Sequence, residues 1–287
     1  MYEPAWRHPS TPEEAARALA DTELEARVIA GGTDLTVLIR NGSARPDVLV
    51  DLGGIDELRF VRELEGVTEI GALSTHAAVA GDSHTLSRAP VLSAACRSVG
   101  SPQIRARGTL GGNLGNASPA ADAAAALLAL GASVVVESPG GSGDRSPVPL
   151  ESFFRGPGAT ALAPGEFVRA IRFPTPSAKS KSAYYKIGQR NALAIAIVSV
   201  AVLFDPDAGT VNIALGSVAP TPVRATDAET LFAREWQSAG DREALLAAVA
   251  EKATGAASCI DDVRASAHYR TLLVEAVTRR ALQEVCR

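Results

Sequence analysis

The sequence predicts an α+β protein of two domains, and three observations lead to that prediction. The first fifty residues contain two strand-like segments on either side of a short helical one. Near residues 179–181 the composition changes, and beyond them three strand-like runs precede two helical stretches. Three strands followed by helices favour an antiparallel sheet covered on one face by helices. The chain has 287 residues, a length that suits two domains.

Composition and charge exclude several functional classes. The net charge is −4, without a block of Lys and Arg, which argues against a nucleic-acid partner. The three cysteines are far apart, so we expect no disulfide framework, no iron–sulfur cluster and a reducing, cytoplasmic compartment. No histidines or cysteines stand at metal-binding spacing, so we expect no metal. The longest apolar run, 192–204, is too short to span a membrane and predicts a buried strand.

The N-terminal elements have recognisable signals. Ser10 or Thr11 is a candidate cap for a first helix that begins with proline and two acids. Strands are predicted at "ARVIAG" and at residues 47–52. Between them, Thr33 is a candidate cap for a brief helix that Asn41 and its following glycine end. These segments predict a small β–α–β unit.

The middle of the chain predicts further strands and helices. Two strands flank a turn at Glu65-Gly66, and helices are expected at "THAAVAGD" and "APVLSAACRSVG". An alanine–leucine helix ends at Gly131, and strands follow at "ASVVVES" and at residues 166–176.

Two glycine-bearing stretches are candidates for chemistry: "AGGTDL" (30–35) and "TLGGNLGNASPAAD" (109–122). Paired glycines can expose consecutive amides to an anion, and a helix N-terminus adds to this effect. In the second stretch we expect a flexible loop, then Ser118 as a helix cap and Asp122 in the first turn. Alone, either stretch is more often a turn, and neither is a Walker A or Rossmann sequence. Together they make a ligand with two phosphates more plausible.

The two stretches, with "GALSTHAAVA", "SPQIRARGTLGGNLG" and "YYKIGQRNALAIAIVSVAV", resemble the FAD-binding subunits of the molybdenum hydroxylases. The resemblance covers nearly the whole chain in the family's order. It implies a vanillyl-alcohol-oxidase-type FAD-binding domain over residues 1–178, with α+β subdomains of about 1–54 and 55–178. A C-terminal domain with a three-stranded antiparallel sheet and helices would occupy residues 179–287.

The resemblance also implies site residues. Backbone amides of the first stretch would hold the FAD pyrophosphate, namely those of Ile29, Ala30, Gly31, Gly32, Thr33, Asp34 and Leu35. The second stretch would line the ribityl chain and the flavin ring through Thr109, Gly112, Asn113, Asn116, Ser118 and Asp122. A backbone contact would come from Ile171, and Lys186 would approach the flavin ring. Two departures from the family pattern are Ala121, where glycine is common, and Ala194, where an acidic residue is common.

By this resemblance the chain would be an FAD-dependent oxidoreductase subunit without an acid or base of its own. It would receive electrons from a molybdopterin-binding large subunit through an iron–sulfur small subunit and pass them to NAD⁺, a quinone, oxygen or another acceptor. The complex could also form a homodimer. The alternative is a free-standing flavoenzyme acting on a small organic molecule, with Tyr184, Tyr185 or His76 as a candidate base; His76 is more simply a capping or packing residue. A scaffold protein that has lost its cofactor is a third hypothesis.

Overall fold

The computed structural model describes residues 3–20, 23–141 and 146–287. Its first elements are β1 (Ala5–Arg7), α1 (Pro12–Leu19), β2 (Ala26–Ile29), α2 (Leu35–Arg40) and β3 (Val48–Asp51). The three strands pair in parallel with β3 in the centre. The predicted β–α–β unit is therefore confirmed, with β1 as an additional edge strand. Thr11 caps α1, since its hydroxyl accepts the N–H of Glu14.

An antiparallel sheet follows. The strands of this region are β4 (Val61–Leu64), β5 (Val67–Gly71), β6 (Ser133–Glu137), β7 (Val148–Pro149), β8 (Phe154–Gly156), β9 (Ala159–Thr160) and β10 (Phe167–Pro174). Within the described residues the sheet order is β4-β5-β10-β6-β7, while β8 and β9 form a separate ribbon. The predicted turn between β4 and β5 is confirmed, because Glu65 and Gly66 both have positive φ, 51° and 76°, as a tight hairpin turn requires.

Helices fill the connections of this sheet. They are α3 (His76–Gly81), α4 (Ser83–Arg88), α5 (Pro90–Ser98), α6 (Pro102–Arg107), α7 (Leu110–Gly115), α8 (Asp122–Ala129) and α9 (Leu150–Phe153), with 3₁₀ turns at Leu52–Gly54 and Asp56–Leu58. The alanine–leucine helix α8 ends as predicted, because Gly131 follows it with a φ of 67°.

The C-terminal region differs from its prediction. It contains β11 (Lys181–Ile187), β12 (Val198–Asp205), β13 (Thr210–Gly216), β14 (Val223–Arg224), α10 (Thr226–Glu235), α11 (Arg242–Ala253), a 3₁₀ turn (Thr254–Ala256) and α12 (Ala267–Val285). Within residues 146–287 the antiparallel sheet has four strands, not three, because a two-residue strand such as β14 leaves no hydrophobic pattern. The strand predicted over 192–204 begins only at Val198, which pairs with the last residue of β11. Of the apolar residues before it, Ile197 still donates its N–H to the carbonyl of Ile187, and the others lie beyond the end of β11.

The C-terminal sheet packs on both faces, not one. Val198, Val200 and Val202 share a core with α10–α12, whereas Ala201 lies in the core that contains α5, α7 and α8. That second core contains α8, whose residues are all buried because it packs against the sheet and α5. A helix that is apolar all round is stable in such a place. The predicted boundary near residue 179 lies in the connection between β10 and β11. In the described part of the chain, no helix combines the length and apolarity needed to cross a membrane.

Candidate cofactor site

The first glycine-bearing stretch connects β2 to α2. The N–H groups of residues 31–34 make no hydrogen bond to any described residue, and Gly32 has a φ of +72°. Helix α2 begins at Leu35 with Asp34 in the cap position, so the prediction that Thr33 caps it is wrong. This stretch therefore presents consecutive unpaired amides, the arrangement that binds anions.

Gly31 holds this stretch against the end of α6. A Cβ at Gly31 would lie 2.0 Å from the carbonyl oxygen of Arg107 and 3.0 Å from the Cα of Gly108. Since backbone atoms cannot move aside as a side chain can, only glycine permits the approach. The residue brings the two glycine-bearing stretches together.

The second stretch is not the flexible loop that its composition predicts. Residues 110–115 form α7, and the hydroxyl of Thr109 caps it by accepting the N–H of Gly112 at 3.1 Å. The amides of Leu110 and Gly111 donate to the carbonyls of Ser74 and Ala72, each at 2.9 Å. The prediction of an anion-binding nest in this stretch is therefore wrong, because its first amides already donate hydrogen bonds to carbonyl groups that precede α3. The stretch contributes a wall and side chains instead.

The junction before α8 also differs from the prediction. Ser118 does not cap the helix, because its hydroxyl accepts the N–H of Ala120 at 3.3 Å and α8 begins only at Asp122. Asp122 lies in the first turn, as predicted. Ala121, where the family commonly has glycine, has a φ of −68° and a ψ of 106°. Alanine adopts this conformation without strain, so nothing in the backbone requires glycine there.

Asp122 is the centre of a buried polar cluster. Its carboxylate accepts the ammonium of Lys186 at 2.6 Å and the hydroxyl of Tyr184 at 2.9 Å. Lys186 also donates to the carbonyl of Ser98 at 3.0 Å, and its side chain is 12% exposed. Burial raises the pKa of Asp122, while the charge and hydrogen bond of Lys186 oppose that shift. Lys186 is therefore not a solvated lysine at a strand end.

These features surround one cleft of about 980 Å³, at the upper end of the range for small-molecule sites. Fourteen of the fifteen predicted site residues line it: Ile29, Ala30, Gly31, Gly32, Thr33, Asp34, Leu35, Thr109, Gly112, Asn113, Asn116, Ser118, Asp122 and Lys186. Ile171 does not. It is fully buried in the middle of β10 and pairs with Ile70 and Val134 on its two sides.

Sequence reasoning missed other lining residues. Phe167 and Val168, at the start of the same strand as Ile171, reach the cleft instead of it. Scattered apolar residues complete the wall: Leu19 and Ile104 lie on α1 and α6, whereas Leu24, Val99, Leu162, Leu193 and Ile195 lie in loops. Apolar residues scattered singly over loops and short helices share no periodicity, so no sequence signal could have found them. Among the described residues, no group of three His, Cys, Asp or Glu side chains is placed to hold a metal ion.

Comparison with known proteins identifies the family. The model of the FAD-binding domain in molybdopterin dehydrogenases matches residues 1–176, and that of the CO dehydrogenase flavoprotein C-terminal domain matches residues 183–285. The chain belongs to this FAD-binding family. It is 39% identical to the nicotinate dehydrogenase FAD-subunit of Eubacterium barkeri, over 70% of this chain and 69% of that one. It is 32% identical to the carbon monoxide dehydrogenase medium chain of Afipia carboxidovorans, over 97% of this chain and 95% of that one.

The family likeness extends to solved structures. A chain of the carbon monoxide dehydrogenase from Hydrogenophaga pseudoflava superposes with a TM-score of 0.92 at 30% identity, covering 99% of this chain and 97% of that one. The chain is therefore a flavoprotein of the oxidoreductase class, the FAD subunit of a molybdenum-hydroxylase-type dehydrogenase, and FAD is its cofactor. The cleft suits that cofactor: free amides meet the needs of a diphosphate, and its volume is ample.

Proposed function

We propose that the chain holds FAD in this cleft and relays electrons through it to an acceptor. The observation that carries the proposal is the cleft itself. One wall presents unpaired amides and another a buried ammonium group, and fourteen residues expected at an FAD site line it. FAD supplies the electron-carrying chemistry, while the protein supplies position and electrostatics.

The unpaired amides of residues 31–34 would bind the diphosphate. They donate to no described residue, so an anion that accepts from them displaces only water. Helix α2 has six residues and adds little dipole, so the amides themselves are the recognition element.

The polar groups of the other wall would bind the flavin end. The side-chain oxygen of Asn113 is buried without a hydrogen-bond partner among the described residues, so a ligand N–H or O–H satisfies it. Lys186 has three N–H donors, of which Asp122 and Ser98 accept two. The third is available to an acceptor in the cleft, and the positive charge would stabilise negative charge there.

The relatives support a role within a larger complex. Their names describe medium chains and FAD subunits of dehydrogenases. We propose that this chain likewise receives electrons from an iron–sulfur small subunit and a molybdopterin-binding large subunit. NAD⁺, a quinone, oxygen or another molecule would be the acceptor.

A free-standing enzyme has less support, because no candidate base is suited to the task. Burial lowers the pKa of His76 to about 4, with a smaller effect from the charge of Arg105. Burial raises the pKa of Tyr184 well above its ordinary value. The hydroxyl of Tyr185 donates a hydrogen bond to the carboxylate of Glu284, and the residue does not line the cleft. None of the three is poised near neutral pH.

The first experiment identifies the flavin. The chain is purified alone, any flavin released on denaturation is identified, and the apoprotein is titrated with FAD, FMN and riboflavin. We expect FAD to bind at least tenfold more tightly than FMN, because only FAD has the diphosphate. A chain that neither contains nor takes up flavin would refute the proposal.

A matched pair of variants tests the cleft. Thr33→Glu adds a carboxylate beside the unpaired amides, whereas Val37→Glu adds the same charge on exposed α2, outside the cleft. We expect only Thr33→Glu to lose FAD.

A second experiment tests the electron relay. The chain is co-expressed with its candidate partner subunits, and the rates at which NAD⁺, quinone and oxygen reoxidise the reduced flavin are measured. Turnover of an organic substrate by the chain alone would favour the free-standing enzyme.

A further inference from the structure

His76 is a buried side chain that the site described above leaves unused. It is the first residue of α3, 2% exposed, and it lines the cleft. Thr75, not His76, caps the helix through its hydroxyl, so a capping role for the imidazole is excluded. Nδ1 is buried without a hydrogen-bond partner among the described residues, and none of the hydrogen bonds between described residues involves Nε2. Nε2 is therefore the ring nitrogen that reaches the cleft.

The imidazole lies beside the unpaired amides. A Cβ placed on Gly108 would lie 3.4 Å from Cδ2 of His76 and 3.3 Å from the hydroxyl oxygen of Thr33. The ring edge next to Nε2 and the first glycine-bearing stretch thus flank the same glycine. The backbone fixes this position, since the N–H of His76 donates to the carbonyl of Gly108 at 3.0 Å.

A polar group that faces the cleft, as Nε2 does, is satisfied only by water or by a ligand there, because no described residue pairs with it. The low pKa of His76 means that its ring is neutral at pH 7, with one donor and one acceptor nitrogen. Nδ1 is enclosed and no described residue accepts a proton from it, so the tautomer that buries no unpaired N–H has its proton on Nε2, toward the cleft.

The geometry points to His76 as a diphosphate-binding residue whose Nε2–H donates to a phosphate oxygen held by the amides of residues 31–34. This inference rests on the proposed function, because the diphosphate is that of FAD. It gives the ligand a side-chain donor in addition to backbone amides, and so adds selectivity for FAD over flavins without the second phosphate.

The test compares His76→Leu and His76→Gln with the wild-type apoprotein. Binding of FAD, adenosine diphosphate and riboflavin is measured by titration, and the melting temperature of each apoprotein is recorded. A hydrogen bond to a charged group contributes enough that its loss weakens binding about tenfold or more. We expect His76→Leu to weaken FAD and adenosine diphosphate equally and riboflavin not at all. His76→Gln, whose amide can donate, should recover much of the loss.

Two outcomes would overturn the inference. One is unchanged binding of adenosine diphosphate by a folded His76→Leu protein. The other is an equal loss of riboflavin and adenosine diphosphate, which indicates a packing role. Should the leucine variant fail to fold, the ¹⁵N resonance of Nε2 in the wild type decides: it must shift with adenosine diphosphate and not with riboflavin. A wild-type chain that binds neither FAD nor adenosine diphosphate refutes the proposed function itself.

Discussion

The two glycine-bearing stretches look alike in sequence and behave differently in the structure. In the first, the amides of residues 31–34 donate to no described residue, and Gly32 has positive φ. In the second, residues 110–115 form a short helix whose first amides are already paired. One stretch therefore offers backbone donors to a ligand, and the other offers a surface and side chains.

The glycines explain this difference. In the second stretch, a Cβ on Gly111 would lie 2.5 Å from the Cβ of Ala72, so that glycine serves packing between α7 and the end of β5. A Cβ on Gly32 would meet only side-chain atoms, the nearest at 3.3 Å. This glycine is therefore needed for its positive φ and not for close packing. A pair of glycines thus predicts either close packing or exposed amides, and only the carbonyls nearby decide between them.

The largest effect is expected where the two stretches meet. Gly31→Ala places a Cβ against the carbonyl oxygen of Arg107, and we expect it to lower the free energy of unfolding by about 3 kcal/mol. FAD retention should fall as well, because the stretches separate. Thermal unfolding and flavin content measure both effects.

Gly115→Ala is the matched control, because a Cβ there meets nothing within 4 Å. It lies within the short helix of the second stretch, where alanine is the better helix former. A Gly31→Ala protein as stable as Gly115→Ala would show that the contact between the stretches is unimportant.

The next largest effect on stability is expected for the buried ion pair between Lys186 and Asp122. Lys186→Met leaves the carboxylate of Asp122 buried without its cation, and we expect a loss of about 2 kcal/mol, since the open cleft admits water. The double variant Lys186→Met with Asp122→Asn removes both charges and should recover much of that stability. Chemical denaturation of the apoproteins measures this, and a double variant no more stable than the single one would contradict the pairing.

The cap of the second stretch is expected to contribute less. Thr109→Val removes the hydroxyl that accepts the N–H of Gly112 and should lower the free energy of unfolding by about 1 kcal/mol. Thr109→Ser keeps the hydroxyl and should remain close to wild type. Thermal unfolding compares the two, and a loss confined to Thr109→Ser would indicate that the methyl group, not the cap, matters.

Most of the residues that line this site could be predicted from the sequence, but which stretch offers free amides and which offers side chains could not. Family-like motifs locate fourteen lining residues, because both stretches are local segments with distinctive composition. Pairing of the Leu110 amide with the Ser74 carbonyl depends on a contact between distant segments, which local composition does not encode. That Ile171 does not line the cleft has a similar cause, because which residue of a strand reaches a cleft depends on where its neighbours end.

The smallest expected effect is on the pH dependence of binding at the first stretch. Asp34 lines the cleft beside the unpaired amides, and partial burial raises its pKa, while a hydrogen bond from Thr33 opposes the shift. Its carboxylate repels a diphosphate, and that repulsion is lost as the pH falls through this raised pKa and the group becomes neutral. Wild-type affinity for FAD should therefore rise on acidification. Asp34→Asn, which keeps the backbone amide and is always neutral, should bind about two- to fivefold more tightly at pH 7 and show a flatter profile. Titrations with FAD between pH 7.5 and 5 measure both quantities. Parallel profiles for the two proteins would mean that Asp34 is too far from the diphosphate to affect it, and would move the anion site toward Gly31 and His76.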